Sequence, residues 1–345
     1  MREIAQRASV SIGTVSRVLN RHQDVDSELR ERVESVARKV GYQFSARTRN
    51  AVQTKSRIIG LILMNNPGLS SSQSLMLLGI EEYCSAAGYC LLFARHQHEP
   101  NAAAGNWEAP GIVQTPGLAD CFIIAGTIHA NMLQTLDEFG LRYVLLRNHL
   151  MDMPEPRAHA ALVGYDDVGG CFHATRYLAQ LGHRHIWYIG DGSRPWHRNR
   201  LQGYMRAIEE LKLEAHVHSI ALSDDEFENG HAAVSYILEQ GWPMTAILAE
   251  SDQLAFGSRE GLRLHRCEVP KDVSMIGFEY EAGRGHSSNF TSVSVDMVEV
   301  GRQLAKAAIA QIENRPRDTP NVTVPASLVK RSTCRPLRKD EHMVL

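Results

Sequence analysis

Small and apolar residues at helical spacing dominate the first forty positions of the chain. They predict two short helices joined by a tight turn, on Ile4, Ala5 and Ala8 and then on Val15, Val18 and Leu19. Ser11 stands where its hydroxyl can cap the second helix, and Asp26 where it can cap a third, over residues 27–40. This layout is typical of a helix-turn-helix, whose second helix enters the major groove of DNA.

From residue 58 the pattern changes to short apolar runs that alternate with amphipathic stretches. The runs predict strands at 58–64, 89–93, 121–125, 143–146, 161–163, 185–189, 246–249 and 273–276. The stretches predict helices at 74–88, 130–139, 169–181, 198–211, 229–240, 252–264 and 298–313. Such alternation predicts an α/β body of two doubly wound parallel-sheet lobes behind an all-α N-terminal helix-turn-helix domain. Ligands in such folds lie beyond the carboxyl ends of strands, so a cleft between the lobes is the expected binding site.

Charge and composition narrow the class of protein. The chain has a net charge of −2, but residues 1–57 carry +6 and the remainder carries −8, which fits a basic DNA-binding head on a body that does not touch DNA. The six cysteines have no zinc or disulfide spacing, so we expect reduced thiols, no metal and no cofactor. No membrane span or signal peptide is recognisable, which predicts a cytoplasmic protein.

The amino-acid sequence of the first helices is more specific than their pattern of apolar positions. Residues 10–20 read Val-Ser-x-x-Thr-Val-Ser-Arg-Val-Leu-Asn, which resembles the head of the LacI/GalR family of bacterial transcription regulators. Body segments are similar to the family too, at 181–186 (LGHRHI), 200–203 (RLQG), 249–257 (AESDQLAFG), 269–278 (VPKDVSMIGF) and 328–333 (LVKRST). The similarity therefore extends over residues 1 to about 336, nearly the whole chain.

The resemblance implies a homodimer that binds an inverted-repeat operator and, between two periplasmic-binding-protein-like lobes, a small-molecule effector such as a sugar or sugar derivative. It implies a repressor rather than an enzyme. We expect a helix-turn-helix domain at 1–43, a hinge linker at 44–57 and an effector-binding and dimerisation domain at 58–336. Lobe one is expected at about 58–157 and 291–318, and lobe two at about 158–290 and 319–336.

The predicted DNA-contacting residues of the head lie on and around its second helix. Arg17 can form a bidentate pair with guanine, with a phosphate contact as the alternative; Ile12 offers only apolar contact, and Gly13 allows close approach. The phosphate contacts are expected from Ser11, Thr14, Ser16 and Asn20. Thr14 could equally be a buried hydroxyl, and Tyr42 could pack in the head or on the DNA backbone.

The start of the head and the hinge depart from the family pattern. The chain begins at Met1 without the residues that usually precede the first helix, which a start codon assigned too far downstream would explain. Ser9 occupies the turn position where the family has Gly. In the hinge, Arg49 is retained, but Ala51 stands where a Leu wedges into the minor groove, and Ala is a poor wedge. Either the DNA bend is weaker or the hinge works differently.

The resemblance also marks effector candidates. Arg200 matches the arginine of the family's RxxG, Glu279 replaces an aspartate with a longer carboxylate, and Ser251 replaces an asparagine. Further cleft candidates are Arg147, Phe227, Arg198, Asn66 and Ser70. Arginines near a cleft favour an anionic or heavily oxygenated ligand, although each could be a solvated surface charge. His183 is expected to be structural, at the turn into a strand.

Two other functions compete with this interpretation. A Rossmann-like enzyme would share the α/β body, but the chain lacks a GxGxxG, a P-loop and a GxSxG elbow. A solute-binding protein would also share it, but the predicted DNA-binding head argues against that function.

Overall fold

The computed structural model describes residues 6–11, 14–15, 18, 26–39, 55–65, 69–97, 110–138, 140–151, 160–192, 194–219, 225–279, 289–313 and 321–337. The chain divides into two compact units. One comprises Met1–Ile58 with Gly111–Asp120, and the other Ile59–Pro110 with Cys121–Leu345. We call them the head unit and the body.

The head unit has the caps and the buried residues that the sequence predicts. The Ser11 hydroxyl accepts a hydrogen bond from the backbone N–H of Thr14 at 3.0 Å, so Ser11 caps the second helix. Helix α1 (Ser27–Lys39) begins after Asp26, whose carboxylate accepts from Leu29 N. The buried apolar side chains are Ala8, Val15, Val18 and Val33.

The turn between the first two helices explains the unusual residue at position 9. Ser9 has a φ of 54°, in the left-handed region that glycine adopts at the least cost. A glycine, which the family has at this position, would adopt this φ without strain. Ser9 adopts it at the cost of a small backbone strain.

The body contains two six-stranded sheets. Lobe one is built on β1 (Ile58–Met64), β2 (Cys90–His96), β3 (Cys121–Gly126), β4 (Tyr143–Leu146), β5 (Ala161–Tyr165) and β11 (Val322–Val324). The strand order is β11-β5-β4-β3-β1-β2, and β1, β3, β4, β5 and β11 pair in parallel. Its helices are α2 (Ser71–Ala86), α3 (Ala130–Glu138) and α8 (Met297–Ile312), with a 3-10 turn at Arg147–His149.

Lobe two repeats this arrangement. Its strands are β6 (Ile186–Ile189), β7 (His216–His218), β8 (Ala246–Ala249), β9 (Ser274–Glu279), β10 (Ser292–Val295) and β12 (Ala326–Val329), in the order β12-β10-β9-β8-β6-β7. Only the β10–β12 pair is antiparallel. The helices are α4 (Asp167–Gln180), α5 (Pro195–Leu211), α6 (Glu226–Glu239) and α7 (Asp252–Leu264).

The sheets correct the expected limits of the lobes. β5 and β11 belong to the sheet of lobe one, and β10 to that of lobe two, whereas the sequence limits put each of them in the other lobe. The chain therefore crosses between lobes after Tyr165, Val295 and Val324. The expected limits put the first crossing after residue 157, but the next strand, β5, still pairs with β4. Such a pairing is not visible in the local sequence.

Close helix packing stabilises lobe one. Helix α2 packs against α8, where a Cβ on Gly79 would overlap the carbonyl of Val298 and one on Gly301 would overlap that of Met76. The absence of side chains at these two positions therefore sets the distance between the helices. Among the helices that the structure describes, none is both long and apolar enough to cross a membrane.

Candidate effector and DNA-binding sites

Several buried polar side chains of the body lie at the carboxyl ends of parallel strands. Asn148 and His149 follow β4, Asp167 follows β5 and Glu250 follows β8, and each is less than a tenth exposed. Buried polar groups are tolerated when they are hydrogen-bonded, so their partners define what this region can do.

Arg200 is the centre of this region. It lies on α5, is 1% exposed, and its Nε donates to the Asp167 carboxylate at 2.9 Å. Its Nη1 donates to the carbonyl oxygen of Glu250 at 2.5 Å, and its guanidinium lies 3.8 Å from the centre of the Phe278 ring. The arginine is therefore held by an ion pair, a carbonyl and an aromatic face, which together compensate its desolvation.

Asp167 connects Arg200 with lobe one. It is the first residue of α4, directly after the crossing from β5, and its other oxygen accepts from the amide of Asn148 at 2.7 Å. That amide also bonds the backbone of Tyr165 through both its nitrogen and its oxygen. A continuous chain of hydrogen bonds thus runs from Asn148 in lobe one through Asp167 to Arg200 in lobe two.

An aromatic contact joins the lobes beside this chain. The His149 ring lies 4.6 Å from the ring of Trp196 on α5, and its Nδ1 accepts from the Gly126 backbone N–H at 2.8 Å. Burial, together with the positive charges of Arg200 and Arg194, lowers the pKa of His149 to about 3. His149 is therefore a neutral acceptor in this contact at physiological pH.

A second polar cluster lies in lobe two at the ends of β6 and β8. The Nδ1 of His197 lies 3.0 Å from the Glu250 carboxylate and 3.6 Å from that of Asp191. The other Glu250 oxygen accepts from the Tyr188 hydroxyl at 3.2 Å. Burial alone would lower the pKa of His197, but the neighbouring carboxylates of Asp191 and Glu250 raise it.

The predicted effector residues of lobe two have different environments. Ser251 caps α7, accepting from Leu254 N and donating to the Glu226 carboxylate at 2.5 Å. Phe227 follows Glu226 and is 38% exposed, whereas Arg198 is exposed on α5. Glu279 is the last residue of β9, beside Ser294, and its side chain lies outside the described part of the molecule.

Two of the predicted effector residues of lobe one, Arg147 and Ser70, form hydrogen bonds with nearby residues. Arg147 lies over Gly164 and donates to the hydroxyl of Thr323 at 2.9 Å, so it reaches along the sheet toward β5 and β11. Ser70 caps α2 in a reciprocal pair with Gln73. Asn66 lies outside the described residues.

For the DNA-binding residues, the structure describes only two of the ten. Ser11 and Thr14 form the cap described above, and their hydroxyls lie 2.9 Å apart. Outside the described residues are Ile12, Gly13, Ser16, Arg17, Asn20, Tyr42, Arg49 and Ala51. Their roles stay predictions.

Several residues of the site were not predicted from the sequence: Asn148, His149, Asp167, Trp196 and Glu250. Asn148, His149, Asp167 and Glu250 follow strands, and position after a predicted strand is the one signal that could have indicated them, whereas Trp196 lies on α5. His183, by contrast, has the structural role expected. It is buried, and its Nε2 lies 2.9 Å from the hydroxyl of Ser274.

Comparisons with known proteins find families and relatives that are similar to this chain. Residues 1–45 match the family described as bacterial regulatory proteins, lacI family, and residues 175–334 match the periplasmic binding protein-like domain. The ribose operon repressor of Haemophilus influenzae is 28% identical over 91% of this chain and 92% of its own length. The transcriptional regulator GalR of Escherichia coli is 26% identical over 99% and 98%.

Solved structures share the fold. The transcriptional regulator CelR in complex with cellobiose has a TM-score of 0.67 at 24% identity, covering 96% of this chain and 98% of that one. The lac repressor dimer bound to operator and an anti-inducer has a TM-score of 0.66 at 20% identity, with the same coverage.

A helix-turn-helix head and a two-lobed α/β body together define a DNA-binding transcription regulator with a ligand-binding body. Residues 1–45 match the model of the LacI family of these regulators, and nearly the whole chain is similar to members of that family.

Proposed function

We propose that this regulator is a repressor whose operator affinity is set by a small oxygen-rich effector bound between the two lobes. The observation that carries the proposal is the chain of hydrogen bonds from Asn148 through Asp167 to Arg200, which spans the crossing between lobes. An effector that draws Arg200 away from Asp167 would change how the lobes are coupled. Coupling of this kind, between two sites through a two-state element, is what allosteric control requires.

In the head, the proposal assigns base reading to Arg17 with Ile12 and Gly13, and positioning on phosphates to Ser11, Thr14, Ser16 and Asn20. Tyr42, Arg49 and Ala51 would serve the backbone and hinge contacts. The described caps support this assignment because they fix the start of the second helix, the end that enters the groove.

The DNA test is a selection of genomic fragments by the purified full-length protein at a stated salt concentration. We expect one inverted repeat to be enriched. Arg17→Ala should then weaken specific binding by about 1–3 kcal/mol, the value of a bidentate base contact. Arg32→Ala is the matched control because it removes the same charge from the exposed surface of α1. Sequence-blind binding by the unaltered protein, or equal losses in the two variants, would contradict the assignment.

The proposed effector is a sugar or sugar derivative. The ribose operon repressor is named for a sugar, and a structural neighbour was solved with cellobiose. In this chain the candidates Arg200, Ser251, Glu279 and Arg147 present donors and carboxylates that suit hydroxyl groups, and Phe227 offers an aromatic face. Arg198, Asn66 and Ser70 complete the proposed set.

The effector test is a thermal-shift screen of the full-length protein with pentoses, hexoses, disaccharides and nucleosides. A hit should raise the melting temperature of the unaltered protein and of Arg206→Ala, because Arg206 is an exposed residue of α5 outside the proposed set, but not that of Arg200→Met. A hit that stabilises all three equally would remove Arg200 from the site.

The proposed function also includes an oligomeric state and a location in the cell. We assign a homodimer, a cytoplasmic location and no enzymatic activity. Domain limits are 1–43 for the head and 44–57 for the hinge, with the lobes following the sheets. Sedimentation of the full chain would test the dimer, since a monomer cannot occupy both halves of an inverted repeat.

A further inference from the structure

Asp191, His197 and Glu250 form a three-ligand cluster that the regulator function does not use. One atom of each side chain lies within 4.8 Å of the other two. Asp191 and Glu250 follow the adjacent parallel strands β6 and β8, and His197 is in the first turn of α5. Fold topology rather than local sequence brings the three residues together.

The distances fit a metal ion. With bonds of about 2.0–2.2 Å and tetrahedral or octahedral angles, ligand atoms lie about 3.0–3.5 Å apart. His197 Nδ1 lies 3.0 Å from Glu250 and 3.6 Å from Asp191. Asp191 is one-third exposed, so its side chain can close the longer distance without disturbing the core.

The carboxylates around the cluster also favour binding of a cation. Glu250 is 2% exposed, and among the described residues no lysine or arginine pairs with its carboxylate. Around Arg200 and His197 there are three carboxylates, those of Asp167, Asp191 and Glu250, and this concentration of carboxylates favours binding of a divalent ion.

Neighbouring groups fix the Glu250 carboxylate. Its Oε1 accepts from the Asp191 backbone N–H at 3.1 Å, and its Oε2 from the Tyr188 hydroxyl at 3.2 Å. Gly190 leaves room for it, since a Cβ there would overlap the carboxylate. Partners that orient a ligand in this way are typical of metal sites.

We propose that Asp191, His197 and Glu250 bind one divalent transition-metal ion, with Zn²⁺ as the best fit. An imidazole with two carboxylates suits Zn²⁺, whereas Mg²⁺ and Ca²⁺ prefer oxygen ligands alone. Three protein ligands leave a coordination position open, at the strand ends where α/β folds bind ligands. The site lies within lobe two and does not depend on operator binding.

The test is calorimetric titration of chelator-treated full-length protein with ZnCl₂, repeated with MgCl₂ and with Co²⁺ as a spectroscopic probe. We expect one Zn²⁺ per chain, far weaker Mg²⁺ binding and a Co²⁺ absorption band. Glu250→Gln and His197→Asn should each weaken Zn²⁺ binding by more than tenfold. Tyr188→Phe, which removes only an orienting bond, should weaken it by about 10–100-fold.

The matched controls are Glu209→Gln and His173→Asn, which make the same changes at exposed positions of lobe two. Asp191→Asn removes a ligand with the smallest disturbance of the fold, because Asp191 is the most exposed of the three ligands. Absence of Zn²⁺ binding, or binding that survives unchanged in Glu250→Gln, His197→Asn and Asp191→Asn, would overturn the proposal. Failure to select an operator in the separate DNA experiment would leave it standing.

Discussion

The two lobes have the same strand order but different chemistry at their strand ends. In lobe one, the buried side chains after β4 are those of Asn148 and His149, which are uncharged, whereas Arg147 beside them is only partly buried and the cleft candidate Ser70 caps a helix. In lobe two, Arg200, Glu250 and His197 form buried ionic contacts. The fold therefore supplies two equivalent scaffolds, and the side chains at the strand ends decide which one carries charge.

This difference indicates where effector recognition is concentrated. Buried charges are costly unless they are paired, and a ligand can exchange with one of the partners. The Arg200–Asp167 pair in lobe two is of this kind, whereas Asn148 and His149 in lobe one offer neutral hydrogen bonds and a ring that contacts Trp196. We expect changes at this pair to affect both stability and effector response, and changes in the helix packing of lobe one to affect mainly stability.

The largest effect is expected from Arg200→Met. Removing Arg200 leaves Asp167 buried without its cation, and breaking a buried pair costs about 3–5 kcal/mol of the free energy of unfolding. Urea unfolding of the full chain would measure it, with Arg198→Ala as the exposed control on the same helix. The double variant Arg200→Met with Asp167→Asn should recover part of the loss; no recovery would mean that the pair is not the cause.

Lobe one should respond most to overpacking between helices. In Gly79→Ala the new methyl group would meet the carbonyl of Val298, so we expect a loss of about 1–3 kcal/mol in the free energy of unfolding. Gly111→Ala is the control because a methyl group added there would meet no atom within 4 Å beyond its chain neighbours. If effector affinity also falls in Gly79→Ala, the separation of roles between the lobes is wrong.

Acidification should destabilise the body through a histidine in each lobe. The unfolded histidine takes up a proton near pH 6.5, whereas burial lowers the pKa of His149 to about 3 and that of His183 to about 4. The unfolded state therefore binds more protons below pH 6.5, and stability should fall with pH by up to about 1.4 kcal/mol per unit for each histidine. Arg200 and Arg194 add to this effect at His149.

Unfolding of His149→Asn between pH 7 and pH 5 would isolate the contribution of lobe one. Asparagine can still accept the Gly126 N–H but does not titrate, so the slope against pH should become shallower. His173→Asn, at an exposed position, should keep the original slope. If the slope of stability against pH is unchanged in His149→Asn, then burial of His149 does not cause the loss of stability in acid.

The smallest effects are expected from the two serine caps. Ser70→Ala and Ser251→Ala each remove an N-cap, which costs about 0.5–2 kcal/mol of stability. Ser251→Ala also leaves the Glu226 carboxylate without its hydroxyl donor, so it should alter effector affinity more than Ser70→Ala does. Equal effector affinities in the two variants would remove Ser251 from the proposed site.

Strong periodicity made most of the body predictable. The strands Tyr143–Leu146 and Ala246–Ala249 and the helix Asp252–Leu264 have the predicted limits, because apolar runs bounded by polar residues mark both ends. The strands β7, β10, β11 and β12 were missed. Each has only three or four residues and, unlike Tyr143–Leu146 and Ala246–Ala249, contains polar residues, so no continuous apolar run marks it.

The sequence by itself determined the similarity to the LacI family, the helix caps at Ser11 and Asp26, and the candidacy of Arg200, because these depend on local patterns or on short motifs. Tertiary structure decided which lobe β5, β10 and β11 join, and it brought Asn148, Asp167 and Arg200 into one chain of bonds. It also placed His197 beside Glu250. The physical reason is that strand pairing and buried ion pairs join residues far apart in the chain, and no local pattern records those partners.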